Sequence, residues 1–162
     1  KTTEEGVHYI DINKNEQDKG LKNPASKRVI PLHPFLVELG IMERVENLRK
    51  AGHKRFFPDL TKGASGYGHY VSRWFNDRYK KKCGINDDKK VFHSFRHTFS
   101  TNLSHNGIND HHLKSLMGHS EEGITYSTYV KKAEVQKLHE ELVKHLDYGV
   151  DLSHLKGSKW SK

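Results

Sequence analysis

The sequence of 162 residues has a single cysteine, Cys83, so it cannot form an internal disulfide. One thiol in a chain of this size is typical of a reducing compartment. No apolar run comes near the roughly 18 residues that a membrane helix needs, and the first residues lack a signal-peptide pattern. Internal repeats and low-complexity tracts are also missing from the sequence. These absences argue against a disulfide scaffold, a repeat protein and a disordered tract.

The composition is that of one ordinary domain with a basic surface. Apolar residues make up 33% and charged residues 30%, which is enough for a real core. Lys and Arg outnumber Asp and Glu by 28 to 20, giving a net charge of +8. Such a balance favours a polyanionic partner, most simply nucleic acid, although charge alone fits an unspecialised basic surface equally well.

Periodicity predicts a mainly α fold with a small antiparallel β-sheet near the N-terminus. Residues 7–12 and 27–32 have the patterns of two strands, joined by a polar connection that is rich in lysine. Ser94 and Asn109 are suited to cap two later helices, and Gly118 to end the second of them. The helices predicted from apolar spacing cover residues 35–50, 70–83, 94–106, 110–117 and 135–146.

The central stretch carries the residues with chemical potential. His93 and Arg96 are three apart, so a helix brings an acid/base group and a fixed cation to one face. His119 follows the helix-ending Gly118, and Tyr129 supplies a phenol that can act as a nucleophile. With no acidic metal cage beside them, these groups suit attack on a phosphodiester without a metal ion. His93 and His97, four apart, have a zinc-ligand spacing, but no third ligand is evident.

Each of these residue types answers a need of phosphodiester cleavage. The transition state spreads negative charge over the equatorial oxygens, and a guanidinium can donate to two of them at once. The phenol must lose its proton before it attacks, and the ordinary pKa of tyrosine is about 10. A nearby imidazole can accept that proton. The departing alkoxide needs a proton in return, and a lysine on a turn can deliver it.

Three motifs together resemble the signature boxes of the tyrosine recombinases, the phage-type integrases. They are HSFRHTF at residues 93–99, LMGHS at 116–120, and Tyr129. The segment from Lys22 to Leu32 is similar to the β-hairpin of that family. The resemblance implies a tyrosine recombinase catalytic-domain fold and DNA cleavage and rejoining without a metal or nucleotide cofactor.

The resemblance also implies a role for each matched residue. Arg96 would be the second of two arginines gripping the scissile phosphate, His93 the acid/base histidine, and His119 a hydrogen-bond donor to the phosphate. Lys22 would protonate the leaving 5′-oxygen. Tyr129 would form the 3′-phosphotyrosine. Tyr126 competes with Tyr129 as the nucleophile, and Lys19 and Lys27 compete with Lys22 as the acid.

One expected element has no match. The first arginine of the family lies upstream of the hairpin, and no arginine precedes Arg28 here. We therefore expect residues 1–149 to form a catalytic domain that lacks its N-terminal portion and is inactive alone, and residues 150–162 to form a C-terminal tail. The resemblance further implies double-stranded DNA as the partner, a recombinase tetramer on that DNA, and the cytoplasm of a bacterial host as the setting. Integration or excision of a phage or mobile element would be the role.

Two rival functions share the same basic surface. A non-catalytic module would hold duplex DNA without cutting it, and a type IB topoisomerase would relax DNA by the same chemistry without a second site. Formation of a covalent DNA adduct separates the enzymes from the module.

Overall fold

A computed structural model describes residues 1–13, 26–119 and 132–157. The chain divides into two compact units, one formed by Lys1–Ile41 with Ser100–Lys162 and the other by Met42–Phe99. Helices dominate, and a two-stranded sheet lies near the N-terminus, as predicted. The elements are β1 Tyr9–Ile12, β2 Arg28–Pro31, α1 Pro34–Glu38, α2 Ile41–Lys50, α3 His69–Trp74, a π-helical turn Phe75–Tyr79, α4 Lys80–Lys82, α5 Ser94–His105, α6 Asp110–Met117, α7 Lys132–His145 and a 3-10 turn Ser153–Leu155.

The first unit is built on the strand pair and holds the hydrophobic core. β1 and β2 are antiparallel, with Tyr9 opposite Pro31 and Ile12 opposite Arg28. β2 packs against α6 and α7, which also contact each other. Leu103 and Leu138 are almost completely buried between these elements. Among the described residues, the buried hydrophobic side chains are Val7, Leu32, Leu103, Ile108, Leu116, Met117, Val135, Leu138 and Leu142.

The prediction of one helix over residues 35–50 is wrong. The structure has two helices, α1 and α2, with the break at Gly40. Gly40 has a φ of +86°, a conformation that ends a helix and that only glycine adopts readily. Its N–H bonds to the Val37 carbonyl at 2.9 Å, which closes the last turn of α1. The apolar spacing continues across the break, so periodicity alone does not reveal it.

The predicted helix over residues 70–83 forms, but it contains a wide turn. α3 and α4 are joined through the π-helical turn, where hydrogen bonding runs from i to i+5. Residues five apart diverge by about 140° on a regular α-helix. Here the rings of Trp74 and Tyr79 stack instead, with centroids 4.8 Å apart. The two side chains remain 50% and 42% exposed, respectively.

The three later helices lie where they were predicted, with one correction at a terminus. Asn109 caps α6 through a 2.9 Å bond from the His111 N–H, and Gly118 ends it in the left-handed conformation. Ser94 does not cap α5 from outside, because it is the first helical residue. Its hydroxyl instead accepts the Val91 N–H at 3.0 Å and fastens the preceding turn. The tail returns to α1, where Lys156 pairs with Glu38.

We predict that His33 makes the stability of α1 depend on pH. Its Nδ1 caps α1 by accepting the Phe35 N–H at 3.2 Å, which a protonated imidazole cannot do. Burial, helped by the charge of His139 and opposed by Glu38, lowers the pKa of His33. The neutral form is thus favoured in the folded state, and its contribution is present above the ordinary pKa of about 6.5 and lost as pH falls through the lowered value.

The matched variant is His33→Asn, which replaces the Nδ1 acceptor with an amide oxygen that can cap the helix and does not titrate. At pH 7.5 we expect the two proteins to be similarly stable, and at pH 5 we expect wild type to lose about 0.5–2 kcal/mol relative to the variant, the usual contribution of a cap. Urea denaturation of both proteins across this pH range measures the difference. A constant difference at all pH values would contradict the capping role.

Candidate active site

The first turn of α5 carries two of the predicted catalytic side chains. His93 directly precedes the helix, and its carbonyl accepts the Arg96 N–H at 3.0 Å. This bond fixes the two residues one turn apart, as the spacing predicted. The His93 side chain is exposed and the Arg96 side chain is half-buried. The turn thus presents an exposed imidazole one helical turn from a half-buried guanidinium.

Polar bonds within the second unit hold the segment that leads into His93. The Asn76 Oδ1, in the π-helical turn, accepts the Phe92 N–H at 2.8 Å. Phe75, its neighbour, contacts the rings of Phe92 and Phe95 with centroids 5.6 and 5.2 Å away. The π-helical turn therefore contacts the chain before His93, at Phe92, and after it, at Phe95. Sequence reasoning missed Asn76, because one polar residue on an amphipathic helix carries no distinguishing signal.

Lys80 supports the same segment. A lysine in the run Lys80–Lys82 is expected on the solvated side of an amphipathic helix, but Lys80 is only 5% exposed. Its ammonium donates to the carbonyls of Asp87 and Lys90 at 3.2 and 3.4 Å. These bonds and the Asp88 carboxylate, 3.7 Å away, compensate the buried charge, which is how such a group is tolerated inside a protein. A run of lysines gave no sign that one of them faces inward.

His97 lies against His93 in an edge-to-face contact, with ring centroids 5.1 Å apart. Both rings are exposed. Across residues 1–13, 26–119 and 132–157, no group of three His, Cys, Asp or Glu side chains is placed to hold a metal ion. The contact orients the His93 ring within its own helix turn.

His119 belongs to the first unit and follows the end of α6. Its N–H bonds to the Lys114 carbonyl at 3.1 Å, and the Gly118 N–H bonds to the Ser115 carbonyl at 3.3 Å. This pair of bonds is a Schellman motif, which needs a residue with positive φ, and Gly118 has a φ of +67°. The motif places the exposed His119 side chain immediately beyond a fixed helix end.

The sequence model of the phage integrase family matches residues 2–136. The chain belongs to the phage integrase family. The matched range includes both strands, both histidine motifs and Tyr129. Membership makes this a tyrosine recombinase sequence, of a family that acts on DNA by cleaving and rejoining it. No curated protein and no solved structure matches the chain.

Within this integrase fold, the half-buried carboxylate of Glu141 joins α6 to α7. The Glu141 Oε2 accepts the Asn109 N–H at 3.4 Å, and it lies 3.6 Å from the His112 Nδ1 and 3.7 Å from the His145 Nε2. Burial acts to raise the pKa of Glu141, but the Asn109 bond and the two imidazoles outweigh it and hold that pKa below its ordinary value. A negative charge also suits the start of α6, where the helix dipole is positive. The helix that precedes His119 is therefore joined to α7 at its start and closed by the Schellman motif at its end.

The structure describes one of the five remaining residues that were proposed as catalytic or as their competitors. Tyr129, Tyr126, Lys22 and Lys19 lie outside the described residues. Lys27 is exposed and directly precedes β2.

No helix within the described part of the chain combines the length and apolar character needed to cross a membrane.

We predict that Asn76 holds the integrase segment before His93. Asn76→Ala removes the acceptor for the Phe92 N–H and should lower the free energy of unfolding by about 0.5–1.5 kcal/mol. Asn76→Asp keeps an oxygen at that position and should retain most of the stability. Urea denaturation compares the variants, and amide hydrogen exchange at Phe92 reports the bond itself. Wild-type protection of the Phe92 amide in Asn76→Ala would refute this role.

Proposed function

We propose that this chain is the catalytic part of a site-specific integrase, which cleaves and rejoins DNA strands through a 3′-phosphotyrosine. The observation that carries the proposal is the paired placement of His93 and Arg96 on the first turn of α5, in a chain that belongs to the phage integrase family. An exposed imidazole beside a guanidinium is the pair of groups that a phosphodiester needs for cleavage without a metal.

In the proposed reaction, the Tyr129 oxygen attacks the scissile phosphorus while the bond to the 5′-oxygen breaks. His93 accepts the phenolic proton, and Lys22 donates a proton to the departing 5′-oxygen. Arg96 and His119 donate hydrogen bonds to the non-bridging oxygens, where negative charge accumulates. The bond to tyrosine conserves the energy of the phosphodiester. The 5′-hydroxyl of a partner strand can therefore attack the same phosphorus, release Tyr129 and rejoin the DNA.

The basic surface provides the sequence-independent part of DNA binding in this proposal. Lys81, Lys82, Arg73 and Arg78 are exposed along α3, the π-helical turn and α4, in the same unit as His93. Contacts from such side chains to phosphates hold a duplex in register without reading its sequence. Assembly as a tetramer on paired DNA sites and action on a phage or mobile element belong to the same proposal.

We predict that the full-length protein forms a covalent adduct with a nicked suicide DNA substrate. Loss of a short nicked fragment prevents rejoining, so the phosphotyrosine accumulates and is seen on a denaturing gel. Tyr129→Phe should abolish the adduct because it removes the nucleophilic oxygen. The matched control, Tyr126→Phe, should retain it. Arg96→Ala should slow adduct formation by about 10²–10³, the usual loss for one transition-state donor.

Several outcomes would redirect this proposal. Salt-sensitive binding without an adduct in any form would indicate a non-catalytic DNA-binding module. An adduct that survives Tyr129→Phe but is lost in Tyr126→Phe would move the nucleophile. Relaxation of supercoiled DNA that lacks any second recombination site would favour the topoisomerase reaction.

We predict that DNA affinity falls steeply with salt and that Lys81 and Lys82 contribute to this dependence. Each neutralised phosphate releases counterions, so the slope of log affinity against log salt changes by roughly one for each lysine that contacts a phosphate. Replacing both lysines with alanine should therefore reduce the slope by about two. Lys137 and Lys144, exposed on α7, form the control pair. An equal change in slope for both pairs would show only a loss of net charge.

A further inference from the structure

We propose that Arg28 is a positioning residue for His119 and for the base of the hairpin loop. This inference rests on the proposed function for the role of His119 in the reaction. It assigns Arg28 to the interior of the catalytic fold, where its guanidinium links β2 to the end of α6. The sequence singled out Arg28 only as the first arginine of the chain, without a role.

The guanidinium of Arg28 donates a hydrogen bond to a backbone carbonyl at the end of α6. Its Nε donates to the Leu116 carbonyl at 3.1 Å, across 88 residues of sequence. The last four carbonyls of a helix lack partners within the helix. The Schellman motif accounts for Lys114 and Ser115, and Arg28 supplies the donor for Leu116. A positive charge there also complements the negative end of the helix dipole.

Gly118 lets the guanidinium come this close. A Cβ at Gly118 would lie 2.7 Å from the Arg28 Nη1, so the guanidinium would have to move, and 3.1 Å from its Cζ, which is tighter than most Cβ contacts. Gly118 therefore has two reasons to be glycine: its positive φ and the guanidinium packed against its Cα. The contact falls on the residue immediately before His119.

The second bond of Arg28 reaches toward the hairpin loop. Its Nη1 donates to the Ser26 carbonyl at 2.9 Å. Ser26 is the first described residue after the segment that contains Lys22. One planar group thus bonds both Ser26, two residues before it in the sequence, and the helix end that precedes His119. Because the donors of a guanidinium form a rigid fork, these two backbone segments are held at a fixed separation.

The reaction would depend on this separation if Lys22 and His119 serve the same phosphate. A displacement of about 1 Å in catalytic groups can cost about 10² in rate. Loss of the fork should therefore slow cleavage while DNA is still bound. An arginine that contacted a DNA phosphate would behave differently, since its loss would weaken binding itself.

The decisive variant is Arg28→Lys in the full-length protein. Lysine retains the positive charge but has no planar fork, so it cannot reproduce both carbonyl bonds. We expect the rate of adduct formation at saturating DNA to fall by about 10–100-fold, with a DNA affinity that matches the control. The control is Arg49→Lys, at the exposed end of α2. A wild-type cleavage rate in Arg28→Lys would overturn the proposal, as would a loss of affinity that accounts for the whole loss of adduct.

A measurement without DNA keeps the inference separate from the proposed function. Amide hydrogen exchange at Gly118 and His119 should be faster in Arg28→Lys than in Arg49→Lys, because their helix-end bonds lose support. If the wild-type protein forms no adduct, the proposed function fails, while faster exchange at these two amides still supports the structural link. Unchanged exchange at both amides refutes the link whatever the adduct assay gives.

A double-mutant cycle tests the close contact directly. Gly118→Ala introduces both backbone strain and a clash with the guanidinium. In an Arg28→Ala background only the strain remains, so the second substitution should cost less than it does in wild type. The free energies of unfolding from urea titrations give the coupling. Additive effects of Arg28→Ala and Gly118→Ala would contradict packing between the two residues.

Discussion

The end of an α-helix leaves backbone groups without partners, and this constraint governs both histidine motifs. His93 and Arg96 lie at the start of α5, where the N–H groups need partners from the preceding residues, and His119 lies past the end of α6, where the carbonyls need donors from elsewhere. The residues around each motif are consequently committed to backbone bonding. Ser94 takes the Val91 N–H at one end, and Gly118 permits the bonds of the Schellman motif at the other. The candidate catalytic side chains thus project from segments whose backbone groups are hydrogen-bonded on either side.

The two units achieve this rigidity by different means. Every buried hydrophobic side chain in the described part of the protein belongs to the first unit. Glu141 adds a polar link between two of its helices. The second unit, described over its whole length, contributes no hydrophobic side chain to that set. It depends on aromatic edge contacts around Phe75 and on the buried ammonium of Lys80. The His93 segment therefore depends on polar bonds and aromatic contacts, whereas the His119 segment also has a buried apolar core beneath it.

Residues with strong local preferences were predictable from sequence. The cap at Asn109, the stop at Gly118 and the strand pair follow from side-chain chemistry within a few residues, and the structure confirms them. The helix break at Gly40 was missed because the hydrophobic pattern runs through it.

The inward-facing Lys80 and the role of Arg28 depend on partners distant in sequence or on loop backbone, which no periodicity encodes. The family resemblance, which rests on three motifs together, identified the residues of the candidate site. It could not show which neighbours hold them.

The π-helical turn at Phe75–Tyr79 has a consequence for the tolerance of this region to length changes. A π turn amounts to one residue inserted into an α-helix. Deleting a residue there would restore regular winding but rotate everything downstream by about 100°. Lys80 would swing away from the carbonyls of Asp87 and Lys90 that it now serves. Homologous sequences that lack the extra residue must therefore stabilise the approach to their histidine motif with a different side chain.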